Sequence, residues 1–232
     1  MSARAATFLS RHFPATRPTH FLALRLGDPR LHERVRQLQA QVVAREPTLE
    51  PCAVPPERSH LTVLVFHAAD DADVQRARDA LRDCAPLAQR AFGQAPPALS
   101  FSGLGSFGQN VLFARVGPAN ADLEALSRFV EDVRQLYEHR ELIPPSPGEG
   151  PAWVPHVTLL KTSRASSPKK RRRGGGAGRL RIRPESYEGL CADLGSHALP
   201  SLELCAMRGG GADSGYYPVL AELPLGQLPL GV

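Results

Sequence analysis

Two stretches of the chain pass through the same order of elements, and that repetition limits the fold more than any other feature. The first runs from His20 to Phe66. A short strand at 20–26 leads to Asp28-Pro29, an N-cap followed by a first-turn proline. Leu31, Val35, Leu38 and Val42 then recur at helical spacing up to Glu46, where Pro47 blocks continuation. A proline-rich loop at 48–57 precedes a β-prone run at 59–66. The second stretch repeats this from Val111 to Leu160: a strand at 111–116, a helix opened by Asn120, a proline-rich loop at 144–151 and a β-prone run at 153–160. Leu123, Leu126, Val130, Val133 and Tyr137 form the buried stripe of that helix. Each second strand carries a His-x-Thr triplet, His60-Leu61-Thr62 in one and His156-Val157-Thr158 in the other.

The remaining segments fill in an α+β architecture. A helix is expected over about 71–90, with Pro86 bending or breaking it. A strand at 99–104 joins that at 111–116 through the glycine-rich turn Gly103-Leu104-Gly105-Ser106-Phe107-Gly108, and late strands are expected at 201–207 and 216–223. Residues 1–18 read as a disordered leader, 163–183 as a disordered basic insert and 224–232 as an irregular tail, leaving 19–223 as one domain. Its lobes are expected to comprise roughly 19–104 plus the late strands, and 110–162.

A formal charge of +5 and a pI near 9.3 favour an anionic partner, but much of the excess sits in Lys169-Lys170-Arg171-Arg172-Arg173. That run has the composition of a nuclear-import signal or a nucleic-acid patch, and equally of a solvated loop. Cys52, Cys84, Cys191 and Cys205 stand far apart, without the spacing of a zinc module or disulfide framework. No apolar run approaches membrane-spanning length, so a cytoplasmic or nuclear protein is expected, most simply a monomer. The acid-free start with Arg4, Arg11 and Arg17 faintly resembles a mitochondrial transit peptide, against the simpler reading as leader.

Side chains alternate along a strand, so His60 and Thr62 share one face, as do His156 and Thr158. If the halves pack about a pseudo-twofold axis, two imidazoles and two hydroxyls converge on one cleft. One histidine then deprotonates an attacking oxygen, the other protonates a leaving oxygen, and the threonines donate to phosphate oxygens. General acid and general base catalysis contribute about 10²- to 10⁴-fold each, so neither a metal nor another cofactor is required. One triplet alone is ordinarily chance; two at matching positions are not.

On these residues the chain resembles the two-histidine (2H) phosphoesterases, the RNA-ligase-like or cyclic-phosphodiesterase superfamily. The run Gly103–Gly108 with Val111-Leu112-Phe113, and the late Ser214-Gly215-Tyr216-Tyr217, resemble the branch containing the nucleotide domain of A-kinase anchoring protein seven. The resemblance implies a bilobal 2H fold, two pseudo-symmetric sheet-and-helix lobes around a central cleft. It implies catalytic or phosphate-binding roles for His60, Thr62, His156 and Thr158, with no metal. The implied substrates are RNA, oligoribonucleotides or mononucleotides, through 2′,5′-linked or 2′,3′-cyclic phosphates. The alternative is a module that binds AMP or an RNA end without turnover. No kinase-anchoring helix is apparent.

Weaker candidates surround the triplets. Phe66 shares their facing if its strand stays regular, and with Phe107, Tyr216 and Tyr217 it is a candidate for stacking on a base, each weighed against a structural role. Lys161 could neutralise phosphate, but alternation turns it away from His156 unless the strand bulges. His12, His20, His32, His67, His139 and His197 show no partner pattern.

Overall fold

The computed structural model describes residues 17–145, 152–165, 180–208 and 215–226. Most of the expected leader, insert and tail, and Ser214, lie outside the described residues. Strand β1 (His20–Arg25) leads into α1 (Pro29–Arg45), where the Asp28 carboxylate accepts the Arg30 N–H at 2.8 Å. The proline-rich loop that follows contains two 3₁₀ turns, Pro47–Cys52 and Pro56–Arg58, before β2 (His60–Phe66). The helix expected over 71–90 divides at Cys84 into α2 (Asp71–Asp83) and α3 (Ala85–Phe92), with Pro86 seated in the first turn of α3, where it removes no helical hydrogen bond.

Strands β3 (Ala98–Phe107) and β4 (Val111–Val116) precede α4 (Leu123–His139) and β5 (His156–Lys161). The glycine-rich run expected as a turn is mostly strand: β3 continues to Phe107, and the reversal occupies 108–110. Gly103 lies at an irregularity in β3 with φ of +78°, and Gly105 sits where neighbouring side chains cross the sheet surface. The helix expected from Asn120 begins at Leu123 because Asn120 and Asp122 pin β3 instead. Their side chains accept the Ser100 and Ala98 N–H groups at 2.6 and 2.8 Å.

Strand β6 (Asp193–Ala198), Asp-Leu-Gly-Ser-His-Ala, was not expected, since only Leu194 resembles a strand residue; β7 (Ser201–Ala206) and β8 (Val219–Pro224) complete the set. All pairs are antiparallel, in two four-stranded sheets ordered β2-β1-β7-β8 and β5-β4-β3-β6. Superposing β1 on β4 and β2 on β5 repeats the order. The late strands β7 and β8 lie in the sheet of β1 and β2, whereas β3 lies in the second sheet.

Helices lock the lobes together. Helix α1 follows a strand of the first sheet but packs against β5 and β6 of the second, while α2 and α3 pack against β7 and β8. A single apolar core therefore links both sheets, through Leu22, Leu24, Leu61 and Leu204 in one and Leu112, Ala114, Val157 and Leu160 in the other. Each fully buried leucine contributes roughly 1.5–3 kcal/mol. Tyr137 of α4 is wholly buried and donates its hydroxyl hydrogen to the Ala77 carbonyl at 2.8 Å, which satisfies its one polar group. Among the described residues no helix is long and apolar enough to cross a membrane.

Candidate active site

Both histidine strands carry the same local defect. In β2, Leu64 pairs with Leu22 and Thr62 with Ala23, so Val63 is an extra residue; in β5, Leu160 pairs with Leu112 and Thr158 with Phe113, so Leu159 is extra. A bulge inverts the alternation beyond it. His60 and Thr62, like His156 and Thr158, are half-buried on the face opposite the core, whereas Leu61, Val63, Leu64 and Val157, Leu159, Leu160 are buried.

The bulges explain two departures from simple alternation. Phe66 turns inward: it is 4% exposed and packs on Tyr137 with ring centroids 5.9 Å apart, so its ring is not presented to a base. Lys161 turns outward and is exposed, and its charge acts on both His60 and His156. Val65 occupies the matching place in the first lobe, an exposed valine where the second lobe has a cation.

The two motif strands meet, and the loops before them cross between lobes. Residues of the first proline-rich loop attach to β5: the Val54 N–H donates to the Leu159 carbonyl at 2.9 Å, and Ala53 bridges Leu160. Gln39 of α1 donates to the same Leu159 carbonyl at 2.8 Å and to that of Val54 at 2.7 Å. In return Trp153, just before β5, donates its indole N–H to the Thr62 carbonyl at 2.8 Å. Each bulged strand is thus held by the other half of the molecule.

Each imidazole is oriented in the same way. His60 Nδ1 lies 2.7 Å from the Arg58 carbonyl oxygen, and His156 Nδ1 lies 2.8 Å from that of Val154. A carbonyl only accepts, so Nδ1 carries the proton in both rings and Nε2 is the basic atom. Burial, more than the opposing hydrogen bond and the charges of His156 and Lys161, pulls the His60 pKa from 6.5 down to about 4. His156 is also lowered, first by burial and then by Lys161. Both rings are therefore neutral near pH 7.

Aromatic rings wall both histidines. Phe21 and Tyr217 approach His60 at 5.1 and 5.7 Å between centroids, while Phe107 and Phe113 approach His156 at 4.9 and 5.0 Å. Phe107 is 43% exposed and Tyr217 is half-buried, which leaves their surfaces accessible. Tyr216 is 1% exposed against the Tyr217 ring, with the Arg25 guanidinium 4.3 Å above its own ring, so its place is structural.

Sequence reasoning missed a pair of arginines. Register sets Arg25 directly opposite His60 and Arg115 directly opposite His156, on the same faces as the histidines. Arg25 Nε is buried with no hydrogen-bond partner among the described residues. The Arg115 side chain and the Phe113 ring cross the space where a Gly105 Cβ would stand, at 2.7 and 2.5 Å, so that glycine makes room for both. Two strand arginines with no acidic neighbour in sequence were the available signal, but their facing depends on the pairing register.

A family model described as the AKAP7 2′5′ RNA ligase-like domain matches residues 18–225. A-kinase anchor protein 7 isoform gamma of Homo sapiens is 24% identical over 211 residues, 90% of this chain but 58% of that protein, so the chain spans little more than half of its relative. Escherichia coli LigT complexed with 3′-AMP has a TM-score of 0.56 at 16% identity, covering 90% of this chain and 99% of that one. Its ATP complex gives 0.54 at the same identity and coverage. The structural likeness establishes the fold, and with the family match over nearly all of the chain it shows that this protein belongs to the AKAP7 2′5′ RNA ligase-like branch of the two-histidine phosphoesterase superfamily.

Proposed function

We propose that the chain is a metal-independent phosphodiesterase of RNA or oligonucleotides, acting on 2′,5′-linked or 2′,3′-cyclic phosphates through His60 and His156. The observation that carries this reading is the shared tautomer: each Nδ1–H is spent on a backbone carbonyl, so both rings offer Nε2 for proton transfer. On a cyclic phosphate, His60 Nε2 takes a proton from water as the water oxygen bonds to phosphorus. The ribose oxygen–phosphorus bond breaks, and that oxygen takes a proton from His156 Nε2. Both rings are neutral near pH 7 and able to accept the first proton, the role His60 takes in this scheme. His156 gains its proton when the anionic phosphate arrives, because a nearby negative charge favours imidazolium.

Thr62 and Thr158 donate to non-bridging oxygens, and Lys161 offsets the charge that develops there. Phe107 and Tyr217 offer surfaces for bases. LigT has been solved with 3′-AMP and with ATP, and the cleft here is read as taking the same class of ligand.

The test incubates purified protein, with and without EDTA, with 2′,5′-oligoadenylate, 2′,3′-cyclic nucleotides and RNA bearing a cyclic end. The expected result is turnover of at least one substrate, unaffected by chelation and abolished in His60→Ala and His156→Ala. Tight AMP binding with no turnover of any substrate overturns the catalytic reading in favour of a nucleotide sensor. Loss of activity on chelation overturns the metal-free one.

A further inference from the structure

A second feature lies outside the cleft. Arg45, at the end of α1, and Arg181 and Arg183, in the segment that precedes β6, line a cavity of about 320 Å³ with Glu46, Glu185 and Ser186. None of the three arginines forms an ion pair with a carboxylate among the described residues. Arg45 donates to the Glu188 carbonyl at 2.7 Å and Arg181 to the Gln109 side-chain oxygen at 3.2 Å. Both contacts are to neutral acceptors. Glu46 accepts from Thr48. Three exposed guanidinium groups against two carboxylates leave the hollow with a net positive charge, a place for an anion.

The hollow is joined to the cleft. Arg181 and the neighbouring Ile182 are held by Gln109, whose carbonyl accepts the Ile182 N–H at 2.9 Å. Gln109 is two residues beyond Phe107, the exposed ring against His156. The next residue, Asn110, accepts the backbone N–H of Thr162, which follows Lys161. One turn of chain therefore connects the cleft cation and the stacking ring on one side with the arginine hollow on the other. Aromatic rings and cations within reach of one another are the means by which proteins hold a single strand.

We propose that Arg45, Arg181 and Arg183 form a second phosphate site for a single-stranded RNA whose reacting phosphate lies between the two histidines. This rests on the nucleic-acid reading of the cleft and extends it: the preferred ligand is a chain of several nucleotides, and a mononucleotide reaches only the cleft. The run Lys169–Arg173 lies outside the described residues and forms no part of the site.

The experiment measures fluorescence anisotropy of a labelled, fully 2′-O-methylated single-stranded RNA over a salt series. That ligand lacks the free 2′-hydroxyl and reports binding alone. Replacing both Arg181 and Arg183 by glutamine should weaken binding and lower the slope of log affinity against log salt by about 1.4, at roughly 0.7 per lost phosphate contact. Glu185→Gln should tighten binding, a gain that damaged folding does not produce. Affinity for 5′-AMP should not change in either variant. An unchanged salt slope overturns the proposal, as does Glu185→Gln binding no better than wild type, or a loss of AMP affinity parallel to that for RNA. A cleft that turns over no substrate leaves these comparisons intact, so failure of catalysis and failure of the second site are read separately.

Discussion

Burying a neutral histidine makes stability depend on pH, and His60 is where that dependence should be largest. Its pKa falls from 6.5 to about 4 on folding, chiefly through loss of water. Between those values the unfolded chain binds a proton that the folded chain refuses, so stability falls as pH drops through 6.5 and the loss is complete below about 4. At about 1.4 kcal/mol per pKa unit the full shift amounts to about 3 kcal/mol. The ring keeps some contact with solvent, which reduces the expected loss to about 2 kcal/mol. Urea unfolding from pH 7 to pH 4, followed by the fluorescence of the single tryptophan, Trp153, measures it. The reference is His60→Asn, which does not titrate yet retains a side-chain N–H for the Arg58 carbonyl. Wild type should lose about 2 kcal/mol more than the variant over this range. The other histidines are common to both proteins and largely cancel. Parallel stability curves would refute the argument, since His60 would then titrate equally in the folded and unfolded chains.

Other residues give further outcomes. Thr62→Val and Thr158→Val should each lower kcat about 10²-fold with little change in melting temperature, because each removes a donor to the transition state at a half-buried position. Gly105→Ala puts a methyl group within 2.5 Å of the Phe113 ring and should cost about 1–3 kcal/mol in denaturant unfolding. Lys161→Met removes a charge that lowers both histidine pKa values, so both should rise in a ring-proton NMR titration while KM for an anionic substrate increases.

Much of the molecule was legible in its residues. Helix α1 follows from Asp28, Pro29, the leucine–valine repeat and Pro47, and the division at Cys84 was anticipated from Pro86, because capping and ring constraints act within a few residues. The repeated order of strand, helix, loop and strand survives as two sheets with matching strand orders. What escaped depended on neighbours distant in sequence. Strand β6 lacks apolar alternation, and pairing with β3 is what makes it a strand. The run Gly103–Phe107 has turn composition, but pairing of Leu104–Phe107 with β4 extends the strand through it. Phe66 and Lys161 each follow a bulge that no local rule announces, so both face opposite to regular alternation.

By itself the sequence determined that two half-domains each end in a histidine and a threonine on one face of a strand, since a period of two is a property of any extended chain. Tertiary pairing alone decided which further side chains share that face. One extra residue, Val63 or Leu159, reverses everything beyond it, and whether a residue is extra depends on the strand alongside. The placing of Arg25 and Arg115 opposite the histidines has the same origin, because register is a relation between segments far apart in the chain.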